Sequence, residues 1–243
     1  QCVVDILFKI LSLWLDRGKT HHTLSVSNRG RAMTEQTTLY GFDGSTFVRT
    51  VKMVLLNKNI TFDQVVVNVL KGEPRKPAHL ARHPFGKVPV LDIDGIRLRE
   101  TDTICRYLDD TRPAPSLVPS TPKDRAKMSE AINLVNAYGY NAMMGSAGFH
   151  LFPDLIGVTT DVEHEERILH AKTFLNLLMD NKGKADWLAG DAPSLADYFL
   201  GPLAFYVSIT PDAEALLTEQ RVHAWWNRMK AFETFKATTP KLK

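Results

Sequence analysis

Hydrophobic and polar positions follow two patterns in the first part of the chain, up to residue 112. Short apolar runs bounded by turn residues predict strands at residues 38–42, at residues 61–70 and, as a hairpin that turns at Asp94-Gly95, within residues 88–98. Apolar residues at helical spacing predict one helix opened by Ser45 and another over residues 101–108. The order β-α-β followed by β-β-α predicts a small α/β domain.

The second part of the chain shows only the helical pattern. Apolar residues recur three and four positions apart in residues 123–144, 161–180, 194–208 and 221–235. Residues 113–122 contain four prolines and no periodicity, which is typical of a linker. We therefore expect an α/β domain over residues 38–112, an all-helical domain over residues 123–243, and a ligand site in the cleft between them.

Residues 1–37 are expected to lie outside the fold. Their apolar run is interrupted by Asp5 and Lys9, so it is too short and too charged to span a bilayer. The basic, hydroxylated stretch that follows has the composition of a targeting peptide. The alternative is that Met33 is the true start and that the preceding residues do not belong to the functional unit.

Charge and cysteine content narrow the function classes. The chain has 243 residues, and residues 1–32 carry its whole net charge of +3. Within the neutral remainder, residues 38–112 carry +3 and the helical part carries −2, which favours a small anionic ligand over nucleic acid. The two cysteines form no paired motif, so the sequence predicts neither a zinc site nor a disulfide framework.

Two positions in the α/β part suggest a binding site. Ser45 follows a turn at a strand-to-helix junction, where it either caps the helix or presents its hydroxyl to an anion at the helix N-terminus. Pro89 begins a strand, so it predicts either an edge position or a cis bond after Val88. A cis bond would turn the backbone of Val88 toward the cleft, where it could pair with a peptide.

Charged residues flank these positions. Four basic side chains lie between Arg75 and Lys87, and they form either a solvated loop or a clamp for a carboxylate. Glu100 and Thr101 lie where the last strand meets a helix. A carboxylate would suit the Thr101 hydroxyl and the helix N-terminus, and an ammonium group would suit Glu100.

Together these blocks resemble the cytosolic glutathione transferase superfamily from about Thr38 to Pro240, and most of all its phi class and bacterial relatives. The matching segments are residues 39–51, residues 72–91, Glu100-Thr101, Trp187–Gly190 and Ser194–Asp197. The acid three residues after Ser194 also predicts a capping box at the start of a helix. The resemblance implies a thioredoxin-like α/β domain followed by an all-helical domain. It also implies a cytoplasmic homodimer without a metal, a nucleic-acid partner or a membrane partner.

The activity implied by the resemblance is conjugation of glutathione, as co-substrate, to a hydrophobic electrophile. Ser45 would be the catalytic residue, donating a hydrogen bond to the glutathione thiolate without forming a covalent intermediate. The implied glutathione-binding residues are Arg75 and Lys87 for the glycine end, Val88 and Pro89 for the cysteinyl unit, and Glu100 and Thr101 for the γ-glutamyl end.

Several alternatives stay open at this point. Tyr40 and Thr46 are rival partners for the thiol, whereas Cys105 is expected to be a packed, inert thiol. Peroxidase or dehalogenase activity on the same site remains open. A non-enzymatic binding module is the contrasting hypothesis, because phi proteins usually have a histidine and a lysine where this chain has Pro74-Arg75. The residues expected to line the hydrophobic-substrate site are Phe42, Phe47, Tyr138, Met143 and Met144.

Overall fold

The computed structural model describes residues 36–112, 114–153 and 160–241. Residues Glu35–Lys243 form one compact unit by their contacts. Apart from Gln36 and Thr37, the predicted N-terminal extension lies outside the described residues. Within the part of the chain that the structure describes, no helix is both long and apolar enough to cross a bilayer.

Four short strands form one mixed sheet in the order β2-β1-β3-β4. The strands are β1 (Thr38–Tyr40), β2 (Asp63–Val65), β3 (Val90–Ile93) and β4 (Ile96–Arg99). β1 runs parallel to β2 and antiparallel to β3, and β3 pairs with β4 across the predicted Asp94-Gly95 turn. Leu39 pairs with Leu91 at the centre of the sheet, and both side chains are completely buried.

The second predicted strand is shorter than the valine-rich run suggested. It ends at Val65. Of the apolar residues that follow, Val67 is buried, whereas Val66 and Leu70 are mostly exposed. The chain turns there because the Asn68 side chain accepts a hydrogen bond of 2.9 Å from the amide of Leu70, which caps a 3₁₀ turn at Val69–Lys71. A valine-rich run is typical of a strand, but valine content alone does not show where the strand ends and an exposed loop begins.

Helices flank the sheet in the first part of the chain. They are α1 (Thr46–Asn57), α2 (Pro77–Leu80) and α3 (Thr101–Thr111), with a second 3₁₀ turn at Glu73–Arg75. The predicted helices opened by Ser45 and at Thr101 are confirmed, and the second continues three residues beyond its predicted end.

The second part of the chain is helical, as predicted. Its helices are α4 (Pro122–Leu134), α5 (Tyr140–Leu151), α6 (Asp161–Lys182), α7 (Leu195–Ser208), α8 (Ala213–Leu217), α9 (Gln220–Ala231) and α10 (Glu233–Ala237). The predicted helix over residues 123–144 is divided by a π-helical segment at Val135–Gly139. The predicted helix over residues 221–235 is interrupted at Phe232, where the backbone is extended.

The two parts of the chain share one hydrophobic core. Helix α1 packs against α3 on one side and α7 on the other. The buried hydroxyl of Thr50 in α1 donates a hydrogen bond of 3.0 Å to the carbonyl of Tyr198 in α7. The helical part therefore holds the helix that begins beside Ser45.

The start of α7 is fixed by a buried carboxylate. Asp197 accepts hydrogen bonds from the amide of Ser194 at 2.9 Å, from the amide of Leu188 at 3.1 Å and from the indole of Trp225 at 2.8 Å. Burial raises the pKa of Asp197, and these donors act in the opposite direction. The predicted pairing of Ser194 with the acid three residues later is confirmed, with the Ser194 hydroxyl donating to the carboxylate at 3.0 Å.

Candidate active site

Ser45 occupies the N-cap of α1. Its side-chain oxygen accepts a hydrogen bond of 3.3 Å from the amide of Val48, and its backbone is extended. The residue is half-buried, and no described group accepts its hydroxyl proton. The two roles considered for Ser45 are therefore compatible, because the oxygen caps the helix while the O–H remains available to a ligand.

A hydrogen bond from the helical part holds the loop that carries Ser45. The hydroxyl of Tyr206 in α7 donates to the carbonyl of Gly44 at 2.6 Å. Burial raises the pKa of Tyr206 to about 12, so this hydroxyl keeps its proton at neutral pH. Gly44 also lies against the ring of Phe42, where a Cβ atom would lie 2.7 Å from Cε2. The loop consequently has little freedom on either side of Gly44.

A buried arginine lies one turn into α1. The Arg49 guanidinium is stacked between Phe205 and Phe235, 4.7 Å and 3.9 Å from their ring centres. It donates a hydrogen bond of 2.9 Å to the Phe235 carbonyl and one of 3.4 Å to the Thr238 hydroxyl. Burial lowers the pKa of Arg49 to about 10, which leaves it charged at neutral pH. Arg49 thus joins the Ser45 helix to the end of the described chain.

The two rival thiol partners are less available than Ser45. The Tyr40 hydroxyl donates to Asp92 at 3.1 Å, and the Tyr40 ring lies under the Arg82 guanidinium at 4.4 Å. Thr46 is only 6% exposed. Cys105 is completely buried, and this burial raises the pKa of its thiol well above the usual value, as expected for an inert cysteine.

The loop before Pro89 brings two cationic residues near each other. The Val88-Pro89 bond is cis, Val88 is half-buried and Pro89 is buried. A Cβ atom on Gly86 would lie 2.9 Å from the Pro74 carbonyl, so the backbone segments next to Arg75 and Lys87 approach closely. Both of these side chains belong to exposed residues, and neither forms an ion pair with a described residue.

Glu100 has a backbone conformation that side chains rarely adopt. Its φ angle is +65°, in the left-handed region, directly before Thr101 at the start of α3. Such a conformation costs about 1–3 kcal/mol and is concentrated at ligand-binding and catalytic sites. The Glu100 side chain is exposed, whereas Thr101 is only 7% exposed. The turn therefore presents the carboxylate outward at the N-terminus of a helix.

Two buried histidines lie next to the cis bond and next to Glu100. Neither was predicted as a site residue from the sequence. His79 donates a hydrogen bond of 2.8 Å from Nε2 to the Lys87 carbonyl, next to the cis bond. His83 Nε2 lies 3.8 Å from the Glu100 carboxylate, and burial lowers the pKa of His83. The histidines lie four residues apart in and after α2, a spacing that could have indicated a shared helical face.

The predicted apolar residues do not form a single surface. Phe47 stacks on Tyr140 of α5, with ring centres 5.1 Å apart and planes 17° apart, so it joins the two parts of the chain beside Ser45. Tyr138 is 65% exposed on the π-helical segment, and Met144 is half-buried. Met143 is completely buried in the core, which corrects its expected place on a substrate-facing wall. Helical spacing alone does not show which of the two adjacent methionines, Met143 or Met144, faces the core.

Known proteins with similar sequences and folds match most of the described chain. The model for the glutathione S-transferase N-terminal domain matches residues 39–116, and the model for the C-terminal domain matches residues 162–233. Glutathione S-transferase F10 of Arabidopsis thaliana is 30% identical over 198 residues, which are 78% of this chain and 90% of that protein.

Solved structures give the same relationship. The crystal structure of glutathione transferase F7 from Populus trichocarpa superposes with a TM-score of 0.75 at 25% identity, covering 83% of this chain and 97% of that one. A glutathione S-transferase-I bound with lactoylglutathione superposes with a TM-score of 0.72 at 27% identity, covering 84% of this chain and 98% of that one. The α/β part with its cis-proline, the helical part and these similarities show that the chain belongs to the glutathione S-transferase family, with a phi-like sequence, and is a glutathione transferase.

Proposed function

We propose that Ser45 activates glutathione by donating a hydrogen bond to its thiolate. The observation that carries this proposal is the Ser45 hydroxyl, which is half-buried at the N-cap of α1 and has no described acceptor for its proton. A thiol with an ordinary pKa of about 8.5 is only a few per cent ionised near neutral pH, and the thiolate is the nucleophile. A hydroxyl donor beside the positive end of a helix favours the ionised form.

We further propose that charged residues of the α/β part hold the two ends of glutathione. We assign its glycine carboxylate to Arg75 and Lys87, because both side chains lack a described counter-charge and their backbone segments approach at Gly86. The cysteinyl backbone pairs with Val88 beside the cis bond to Pro89.

The γ-glutamyl end carries both an ammonium group and a carboxylate. The exposed Glu100 carboxylate suits the ammonium group, and the amide and hydroxyl of Thr101 at the start of α3 suit the carboxylate. Glu100, with its unusual φ, and Thr101 are adjacent in one turn. This residue pair would therefore bind both the ammonium group and the carboxylate of the γ-glutamyl end.

We assign the electrophile to the apolar surface that adjoins Ser45. Phe42 and Phe47 come from the α/β part, and Tyr140 contacts Phe47 from the helical part. An aromatic surface of this kind suits a planar, apolar electrophile.

Conjugation of a generic aryl halide tests this assignment. Ser45→Ala is expected to lower the rate of conjugation at neutral pH by at least about tenfold, because one hydrogen bond to an anion contributes about 1.5–3 kcal/mol. Removal of the cap also destabilises α1, by about 1 kcal/mol. Thr121→Ala is the matched control, since Thr121 caps α4 by accepting from the Asp124 amide at 3.1 Å. Conjugation that survives Ser45→Ala unchanged would exclude Ser45 and leave Tyr40 and Thr46 as the candidate thiol partners.

We also propose that the protein is a homodimer. Phe85 lies on the loop before the cis-proline with 83% of its surface exposed, an apolar group that a second copy could cover. Sedimentation equilibrium is expected to give twice the mass of the chain, and Phe85→Ser is expected to shift the protein toward monomer. A monomeric wild type would refute this assembly.

A further inference from the structure

Three polar side chains meet in the helical part of the chain, on elements distant in sequence. His150 lies in the last turn of α5, His164 in the first turn of α6, and Asp212 directly before α8. The Nε2 atoms of His150 and His164 lie 3.1 Å and 3.2 Å from the same carboxylate oxygen, Oδ1 of Asp212. One atom from each residue lies within 4.8 Å of the other two. The three groups therefore converge on one point.

The surroundings orient each of these groups. The Ser146 hydroxyl donates to Oδ2 of Asp212, which leaves Oδ1 directed at both imidazoles. The Phe149 ring stacks on His164 with ring centres 4.1 Å apart, and it meets His150 edge to face at 5.1 Å. A supporting hydrogen bond such as the one from Ser146 is a means by which proteins hold a metal ligand in place.

Two of the three separations between these atoms, those from each imidazole to the carboxylate, suit a metal ion. Tetrahedral zinc has bonds of about 2.0–2.1 Å to nitrogen and oxygen, so neighbouring ligand atoms lie about 3.3 Å apart. The two observed nitrogen-to-oxygen distances, 3.1 Å and 3.2 Å, fall close to this value. An ion would also neutralise the charge of Asp212, which is only 6% exposed.

We propose that His150, His164 and Asp212 form a binding site for a divalent transition-metal ion of the zinc class. Two imidazoles and one carboxylate match the ligand preference of these ions, whereas Mg²⁺ and Ca²⁺ prefer oxygen ligands alone. Asp212 and His164 are buried and the His150 side chain is one-quarter exposed, so the remaining coordination position faces solvent beside His150. The ion would join α5, α6 and α8, and the site is independent of the role proposed for Ser45.

Cobalt and zinc titrations of the full chain test this site, with glutathione left out because its thiol binds both metals. We expect one Co²⁺ per chain with a visible absorption spectrum, displacement of Co²⁺ by Zn²⁺, and a melting temperature that rises with zinc. His150→Gln carries the test because His150 is the most exposed ligand, and Asp212→Asn is the second variant. Each is expected to weaken binding at least about tenfold, since even the loss of a group that supports a ligand costs 10–100-fold.

Two control variants separate this site from other histidines. His170→Gln removes an exposed imidazole from the same helix as His164, and a double variant, His21→Gln with His22→Gln, removes the adjacent pair near the N-terminus. Both are expected to retain the affinity and the cobalt spectrum. The proposal would be overturned if the wild type bound no metal, if His150→Gln bound it as tightly as the wild type, or if binding disappeared with His21 and His22.

Discussion

The hydroxyl of Tyr206 donates a hydrogen bond of 2.6 Å to the backbone carbonyl of Gly44, the residue directly before Ser45. Tyr206 lies in the helical part of the chain and Gly44 in the α/β part, 162 residues earlier. The position of the Ser45 hydroxyl therefore depends on how the two parts pack. A change far from Ser45 in sequence should consequently alter the chemistry there.

Tyr206→Phe tests this dependence. The substitution keeps the ring and removes only the hydroxyl, so the free energy of unfolding should fall by about 1 kcal/mol. Because the loop becomes looser, kcat/KM for conjugation should fall by up to about fivefold. Urea unfolding and steady-state kinetics measure the two effects. Tyr138→Phe, at a residue that is 65% exposed, is the control and should change neither value. An unchanged stability in Tyr206→Phe would contradict the structural role of the hydrogen bond.

Tyr40→Phe should leave the activation of glutathione intact. The Tyr40 hydroxyl donates to Asp92 at 3.1 Å, within the sheet, and its ring lies under Arg82. We expect a rate of conjugation within about twofold of the wild-type rate, because the Tyr40 hydroxyl is bonded to Asp92 and not to the glutathione thiol. The loss of this half-buried hydrogen bond should lower the free energy of unfolding by about 1 kcal/mol or less. Stopped-flow measurement of conjugation checks this, and a loss comparable to that of Ser45→Ala would make Tyr40 the thiol partner.

The ionisation of Asp92 should make the free energy of unfolding depend on pH in the acidic range. Hydrogen bonds from Arg97, at 2.6 and 2.7 Å, lower the pKa of Asp92 below its usual value of 3.8. Because the folded-state pKa is the lower one, the stabilisation is complete above the unfolded pKa and is lost as the pH falls through the folded pKa.

Unfolding of Asp92→Asn from pH 7 to pH 2 measures this effect. The free energy of unfolding of the variant should be lower than that of the wild type at pH 7. This difference in free energy should become progressively smaller below about pH 4. Asp110→Asn, at an exposed residue without a described hydrogen bond, should show no such narrowing. A difference between Asp92→Asn and the wild type that stays constant across this range would show that the pair with Arg97 does not act through the charge of Asp92.

The stacked pair of Phe47 and Tyr140 should affect the electrophile and not glutathione. Phe47→Leu keeps an apolar side chain of similar size and removes the ring that faces Tyr140 at 5.1 Å. Since a contact between the Phe47 ring and an aromatic electrophile would contribute about 0.5–1.5 kcal/mol, KM for an aryl halide should rise about twofold to tenfold. KM for glutathione should stay unchanged. Leu177→Ala, at an exposed position in α6, is the control, and a rise in both KM values would place Phe47 outside the electrophile site.

The sequence predicted those parts of the fold that depend on local patterns. The Asp94-Gly95 hairpin, the start of α1 beside Ser45 and the pairing of Ser194 with Asp197 each follow from residues close together, and each is present. The prediction that Met143 lines the hydrophobic-substrate site is wrong. Its helix contains glycines and methionines, so the apolar stripe is weak and periodicity does not show which side of the helix faces the core.

Contacts between distant segments could not be read from the sequence. Nothing near Tyr206 indicates Gly44 as its partner, and Arg49 reaches Phe235, 186 residues later. His150, His164 and Asp212 likewise come from different elements, and nothing in the sequence shows that they meet. Such clusters form only when the helices pack, so their chemistry becomes visible only in the structure.

The Ser45 hydroxyl is proposed to act by lowering the pKa of the glutathione thiol. Ultraviolet difference titration of glutathione bound to the wild type, to Ser45→Ala and to Thr121→Ala measures that pKa directly. We predict a pKa clearly below the free-thiol value of about 8.5 in the wild type and in Thr121→Ala, and a return toward that value in Ser45→Ala, at about 1.4 kcal/mol per unit. A thiol pKa that is the same in Ser45→Ala as in the wild type would contradict this role of Ser45.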